Sequence, residues 1–213
     1  MPPSLSTITT LVDDLSPVKP LNTINGLVTS LAAAALSVAC VIGSLGMREG
    51  IANGDFDAVH LIGAGQFLVM GLITSTMVIA MGRPFIGNRH GNVLWLGAPL
   101  TLLPTIAIVT QLFDHGDALS GHSVEAGILC LLRGSAFSVF VFASLVWWLR
   151  QGAPTMPNRA GWLSGLAAGS LGIFALSLHC GSNEITHIGI WHSAAVLGMA
   201  CVGRLVVPPL VHW

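Results

Sequence analysis

The run NGLVTSLAAAALSVACVIGSLG, residues 25–46, contains no charged side chain over its whole length. An α-helix rises about 1.5 Å per residue, so about 20 apolar residues are enough to cross the hydrocarbon core of a bilayer. The run also lacks the alternation of polar and apolar residues that is typical of a strand in a membrane barrel. It therefore predicts a transmembrane helix.

The same pattern recurs along the rest of the 213-residue chain, between short connections rich in Gly, Pro and charged residues. Only 8% of the residues are charged and 53% are hydrophobic, so lipid rather than water must cover most of the surface. A soluble all-α protein with a buried core is the rejected alternative. We predict an all-α integral membrane protein with six transmembrane helices, at residues 25–46, 59–81, 92–112, 124–149, 160–178 and 187–207.

Basic residues are distributed unevenly over the predicted connections. With the N-terminus in the cytoplasm, Arg48 is the only basic residue in the opposite connections, while the cytoplasmic side holds Lys19, Arg83, Arg89, Arg150, Arg159 and Arg204. Membrane proteins keep an excess of Lys and Arg on the cytoplasmic side. The sequence thus predicts an N-in, C-in orientation, with cytoplasmic segments at residues 1–24 and 208–213 around a membrane domain at 25–207.

The N-terminal segment, residues 1–24, has its own amphipathic pattern. Apolar residues spaced for one face of a short helix are Leu5, Ile8, Val12 and Leu15. Pro17 and Pro20 should end this helix and keep the following residues extended. Such a short helix is marginal alone in water, so we predict that it folds on a partner protein. The alternative is a membrane-surface anchor or a frayed tail, although the acidic Asp13 and Asp14 disfavour anionic lipid.

Several of these stretches resemble the NrsF-type anti-sigma factors, which are bacterial inner-membrane proteins of about this length. The matching positions are Leu11, Asp14, Leu15, Pro17, Val18, Pro20 and Leu21, then Gly152–Thr155, Ala160, Gly161, Cys130 with its neighbours, Leu178, His179, Cys180 and Trp213. The resemblance covers essentially the whole chain and is generic only in the first three predicted helices. The chain departs from the family pattern after Cys180, where it continues Gly-Ser-Asn-Glu.

The resemblance implies that the N-terminal segment sequesters an extracytoplasmic-function sigma factor at the bacterial inner membrane. The residues expected to contact the sigma factor are Leu5, Ile8, Leu11, Val12, Asp14, Leu15, Pro17, Val18, Pro20 and Leu21. It further implies that metal or oxidative stress releases the sigma factor through a cysteine pair, which corresponds here to Cys130 and Cys180. The implied partners are the sigma factor and the lipid bilayer.

The depth of the cysteines along the helices is compatible with this pairing. Cys180 ends the fifth predicted helix on the outer side, and Cys130 lies about two turns into the fourth. A disulfide between them needs Cα atoms within about 7 Å, and hence neighbouring helices. The alternative is that both are small hydrophobic residues, which is our interpretation of Cys40 and Cys201.

Histidines also concentrate on the predicted outer side. Thiolate and neutral imidazole are ligands for zinc, copper or cadmium, so His179, Cys180, His187 and Cys130 are a candidate metal site. Loop histidines without a ligand role are the alternative, because the spacing matches no known metal motif. We expect no obligatory cofactor, and at most a transient heavy-metal ion at the cysteines.

Arg133 lies within the fourth predicted helix, three residues after Cys130 and on the same face. A guanidinium there favours the thiolate of Cys130, so Arg133 is a candidate part of the sensor. Alternatively it ties helices together, with Glu125 as a candidate ion-pair partner.

On the fifth helix, Gly161 and Gly165 begin a small-residue packing face. Belt positions at the membrane surface are expected for Trp147, Trp148, Trp162 and Trp191.

No catalytic motif is present in the sequence, so we expect no enzyme, no small-molecule substrate and no direct contact with nucleic acid. The rival hypothesis is a small membrane redox or metal-binding and transport protein that uses the outer His and Cys residues. Haem binding would need facing histidines within helices, and only His192 and His60 come close.

Overall fold

The computed structural model describes residues 9–10, 12–14, 21–55, 57–83, 97–113 and 121–211, and these ranges contain no strand. The helices are α1 (Thr23–Leu45), α2 (Glu49–Asn53), α3 (Ala58–Met81), α4 (Gly97–Phe113), α5 (Gly121–Phe137), α6 (Val139–Gln151), α7 (Pro157–Ser177), α8 (Ile185–His187) and α9 (Ser193–Leu210), with a π-helical turn (Ile188–His192) between α8 and α9. The all-α prediction is confirmed for this part of the chain.

Five stretches of the described residues are long and apolar enough to cross a membrane. They are Thr23–Leu45, Ala58–Met81, Ser123–Gln151, Pro157–Ser177 and Ile185–Leu210. The third predicted span, 92–112, is described only from residue 97, and its apolar helix Thr101–Phe113 is shorter than the others. The count of six spans, the domain bounds and the N-in, C-in orientation therefore stay predictions.

Side-chain caps fix where two of the long helices begin. Asn22 accepts a hydrogen bond from the Ile24 N–H at 3.0 Å, and Asp57 accepts from Val59 N–H at 2.8 Å. Each cap satisfies a backbone donor that the first helical turn leaves unpaired. Between these helices, α2 occupies a stretch that the sequence pattern assigned to a loop, and Gly54 ends it with φ +82°.

The fourth predicted helix is divided into α5 and α6 at Ser138. The Ser138 hydroxyl donates to the Ser135 carbonyl at 2.6 Å, and the Ser37 hydroxyl on α1 donates to the Phe137 carbonyl at 2.8 Å. These hydroxyls donate to carbonyls around the break, where the buried serines Ser37 and Ser138 are shielded from water.

Helix α7 is the centre of the bundle and is almost wholly buried against α3, α5, α6 and α9. Its glycine face allows α9 to approach closely: a Cβ on Gly161 would lie 2.5 Å from the Gly203 carbonyl oxygen.

Trp148 is 2% exposed and donates through Nε1 to the Ile79 carbonyl at 3.1 Å. The expected belt position of Trp148 is therefore wrong, whereas Trp147 and Trp162 are exposed.

The N-terminal segment is described only in part. Residues 9–10 and 12–13 are helical, and Val12 is 58% exposed. Leu21 packs partly against the core, and its carbonyl accepts two hydrogen bonds from the Arg83 guanidinium at 2.9 and 3.3 Å. Leu21 thus joins this segment to the bundle. The other predicted sigma contacts outside the described residues are Leu5, Ile8, Leu11, Leu15, Pro17, Val18 and Pro20.

Candidate functional site

Two cysteines from different helices meet at one end of the bundle. Cys130 lies on α5, and Cys180 lies in the turn that follows α7. Their Sγ atoms are 3.9 Å apart, and neither is in a disulfide. Cys180 is 7% exposed and Cys130 is half-buried. The pair is therefore two neighbouring thiols that are largely shielded from solvent.

Two histidines complete this group. His187 Nε2 lies 3.8 Å from Cys180 Sγ, and one ligand atom from each of Cys130, Cys180, His187 and His192 lies within 4.8 Å of the other three. We call these four residues the Cys/His cluster. It draws on α5, the turn after α7, α8 and the π-helical turn, so the packing of the bundle assembles it.

The π-helical turn explains why both histidines face the same way. In a regular α-helix, residues five apart differ by about 140° around the axis, because each residue advances about 100°. The wider π-helical turn over Ile188–His192 reduces this difference, and the two imidazole centroids lie 5.5 Å apart. Such turns often occur at functional sites. The sequence spacing does not indicate that His192 lies beside His187, because their proximity depends on this local geometry.

Close approaches of neighbouring helices hold the π-helical turn. A Cβ on Gly189 would lie 2.6 Å from the Leu103 carbonyl oxygen of α4. On α5, Gly127 packs directly against the indole of Trp191. Any larger residue at these two positions would push α4 or α5 away from the turn that carries His192.

His192 is the most unusual member of the Cys/His cluster. It is 1% exposed, and neither ring nitrogen has a hydrogen-bond partner among the described residues. Its ring lies beside Phe67, with centroids 6.1 Å apart. A buried polar group without a partner costs about 1–3 kcal/mol, so the imidazole occupies a position that is unfavourable without a further ligand.

The Arg48 guanidinium fixes the turn that carries Cys180. It donates to the Cys180 carbonyl at 3.1 Å and to Asn183 Oδ1 at 2.9 Å, and lies 2.9 Å from His60 Nδ1. The Arg48 backbone N–H also donates to the Leu178 carbonyl at 3.0 Å. Charge-assisted hydrogen bonds of this kind are stronger than neutral ones. The sequence marks Arg48 only as the basic residue of the predicted outer connections, and its contacts depend on the folded bundle.

The surroundings of Cys180 favour its thiolate. A hydrogen bond from the Cys130 thiol lowers the pKa of Cys180, and the neighbouring imidazoles of His187 and His192 act in the same direction against the opposing effect of burial. A thiolate is the form of cysteine that attacks oxidants and binds metal ions.

Other candidate residues lie outside the Cys/His cluster. His179 Nδ1 lies 3.1 Å from the Gly46 carbonyl oxygen, and His192 rather than His179 is the fourth member of the cluster. Arg133 is half-buried on α5 and is not a member of the cluster, and its candidate pairing with Glu125 stays a prediction. Cys40 is half-buried and Cys201 is exposed, and both are free thiols.

Comparisons with known proteins agree with the resemblance noted in the sequence. The family model described as "Negative regulator of sigma F" (NrsF) matches residues 11–213. The probable anti-sigma-F factor NrsF of Azospira oryzae is 29% identical over 143 residues, which are 67% of this chain and 61% of the relative. The anti-sigma-F factor NrsF of Caulobacter vibrioides is 26% identical over 179 residues, 81% of each chain. The chain thus spans less than two thirds of the Azospira relative, and no solved structure matches it.

Proposed function

Because the chain belongs to the NrsF family of negative regulators of sigma F, we propose that it is a membrane-bound anti-sigma factor. In this proposal the N-terminal segment holds an extracytoplasmic-function sigma factor at the bacterial inner membrane. Reaction of Cys130 and Cys180 under metal or oxidative stress releases the sigma factor. The protein acts by binding alone: it catalyses no reaction, takes no small-molecule substrate and does not contact nucleic acid directly.

The family match carries the sigma-binding part of the proposal, because it begins at residue 11, within the amphipathic stretch. Val12 is exposed on a helical stretch that precedes the first apolar span, and Asp13 and Asp14 are exposed beside it. An apolar side chain presented by a short amphipathic helix is the usual form of a peptide that binds in a groove of a partner. The acidic neighbours favour a protein partner over an anionic membrane.

The 3.9 Å separation of the Cys130 and Cys180 sulfur atoms supports the sensing part. Forming a disulfide removes two electrons and any protons that the two thiols still carry, and draws the sulfurs together to about 2 Å. The electron acceptor is the stress oxidant itself. Because Cys130 is on α5 and Cys180 follows α7, this movement acts on the contact between two packed helices.

A continuous set of contacts joins the thiols to the N-terminal segment. Helix α7 packs along α3, and Arg83 directly after α3 holds the Leu21 carbonyl. A shift of α7 against α3 would therefore alter the position of Leu21. Oxidation can weaken sigma binding only by as much as it favours one bundle arrangement over the other.

Co-purification from the native membrane tests the sigma-binding part. We expect a sigma factor to accompany the full chain and to be absent when residues 1–22 are deleted. The matched control is Cys40→Ser, which should retain the sigma factor because Cys40 lies in α1 outside the cluster. Equal recovery of the sigma factor with and without residues 1–22 would contradict the proposal.

The Cys/His cluster also favours a second candidate function, a small membrane redox or metal-binding and transport protein. This candidate predicts substrate flux or electron transfer without any sigma factor. Metal uptake into vesicles containing the purified chain, together with a visible absorption spectrum for bound haem, distinguishes the two. Uptake or haem absorbance with no sigma factor in the co-purification would favour the second candidate.

A further inference from the structure

We propose that Cys130, Cys180, His187 and His192 form a four-coordinate site for one divalent cation of soft or borderline character, such as zinc or cadmium. The existence of the site does not depend on sigma binding, and only its regulatory meaning rests on the proposed function. The site replaces His179 of the sequence interpretation with His192.

The distances between the ligand atoms fit tetrahedral coordination. With metal–sulfur bonds of about 2.3 Å, two sulfurs on one zinc ion lie about 3.8 Å apart. The Cys130 and Cys180 sulfurs are 3.9 Å apart, and Cys180 Sγ is 3.8 Å from His187 Nε2. All four ligand atoms lie within 4.8 Å of one another, so small side-chain adjustments bring the widest pair to bonding distance.

The unpartnered imidazole of His192 is the independent observation. A buried histidine normally forms a hydrogen bond through at least one ring nitrogen. Both nitrogens of His192 lack one among the described residues, although the ring is 1% exposed and faces two thiols and a second imidazole. Coordination of a cation through one nitrogen would satisfy this group, whereas a disulfide between the cysteines would leave it without a partner.

Charge balance also fits a buried divalent ion. Two thiolates and two neutral imidazoles carry a total charge of −2, which neutralises the cation. Any proton still held by the two thiols is released when the metal binds, because the ligand is the thiolate. The resulting neutral complex avoids placing an unpaired charge in the buried end of the bundle.

Metal coordination and disulfide formation exclude each other at this site, because both need the lone pairs of the same two sulfurs. A bound cation therefore protects the cysteines from oxidation. An oxidised pair cannot hold the cation, and only the two imidazoles would remain as ligands.

The test uses the purified, reduced full chain in detergent, with zinc measured by equilibrium dialysis and cobalt as a spectroscopic probe. We expect one zinc per chain, and a thiolate-to-cobalt charge-transfer band with the intensity of a tetrahedral complex. His192→Asn and Cys130→Ser should each weaken zinc binding by at least about 100-fold, because each removes a ligand. His179→Asn is the matched control and should bind within about twofold of the unmodified chain.

Protection from alkylation keeps the test decisive if a variant folds poorly. Zinc should slow maleimide labelling of the cysteines in the unmodified chain and should not change labelling of Cys201, which is exposed on α9. The proposal is overturned if the reduced chain binds neither metal, or if His192→Asn and His179→Asn bind zinc alike. A chain that releases its sigma factor by disulfide formation yet binds no metal would overturn the metal site alone. Zinc binding by a chain that retains no sigma factor would overturn the proposed function alone.

Discussion

The Arg48 guanidinium donates a hydrogen bond to the Cys180 carbonyl at 3.1 Å and so ties the connection after α1 to the turn after α7. The same guanidinium reaches Asn183 and His60, which makes it a shared anchor for three separate segments. A reactive thiol next to a flexible turn would sample many positions. This anchor restricts Cys180 to the neighbourhood of Cys130.

We predict that Arg48→Ala slows disulfide formation between Cys130 and Cys180 by at least about tenfold, because one lost charge-assisted hydrogen bond weakens the hold on the turn by about 1.5–3 kcal/mol. The rate is measured on the purified chain by mobility shift after quenching with maleimide. Glu49→Gln is the control, since Glu49 is exposed beside Arg48. Equal rates for Arg48→Ala and the unmodified chain would show that the anchor does not matter for pairing.

The close contact between α7 and α9 gives a second prediction. Gly161→Ala should destabilise the bundle by about 1–3 kcal/mol, because its Cβ would lie 2.5 Å from the Gly203 carbonyl oxygen and the helices must separate. Unfolding in detergent, followed by loss of helical circular dichroism, measures this change. Gly198→Ala on α9 is the control: no heavy atom lies within 4 Å of the added Cβ, so the gain in helix propensity should leave stability unchanged or higher. Equal destabilisation by the two substitutions would remove the packing argument.

The predicted orientation requires the N-terminal segment and the Cys180 turn to face different compartments. Single cysteines introduced by Asp13→Cys and Glu184→Cys, in a chain whose four native cysteines are Ser, report each side, because both positions are exposed. A membrane-impermeant maleimide added to intact spheroplasts should label Glu184→Cys at once and Asp13→Cys only after lysis. Immediate labelling of both would end the proposal that the thiols sense on one side and the sigma factor binds on the other.

The predicted apolar face of the N-terminal segment, of which Val12 is 58% exposed, gives a fourth prediction. Val12→Asp should weaken sigma binding by at least tenfold, or about 1.4 kcal/mol, because it places a charge against an apolar groove. Transcription of sigma-dependent genes should then be high without stress, while the amount of membrane protein stays constant. Asp13→Asn keeps the apolar face and is the control. Basal transcription that remains low in Val12→Asp would exclude this face from the interface.

The apolar spans were predictable because composition and length decide them. The bounds of five predicted helices lie within a few residues of the apolar stretches of the structure, as for 59–81 and Ala58–Met81. The division at Ser138 was not predictable, because one of the two hydroxyls that support it comes from Ser37 on α1, which is far away in the sequence. Trp148 fits a belt position by sequence, and only the packing of α3 shows that its indole is buried against Ile79.

The candidate site was predictable only in part. The family resemblance pointed to Cys130 and Cys180, and a general argument about ligands added His187. His179 adjoins Cys180 in the sequence, but the turn after α7 directs its ring toward the Gly46 carbonyl. His192 is not predicted as a ligand from the sequence, because two residues five apart do not share one face of a regular α-helix.

The widened turn at Ile188–His192 carries one residue more than an α-helix needs to join the same two ends. Deleting the half-buried Ile190 would place His187 and His192 four residues apart, which is the spacing of one face of an ordinary α-helix. Both imidazole rings would stay on one side, and the register of α9 would be preserved. Inserting a residue there would rotate the second ring away. A relative with a single deletion in this turn would therefore keep both histidines in the cluster. A sequence alignment that placed the gap at one of these histidines would wrongly indicate that it is missing.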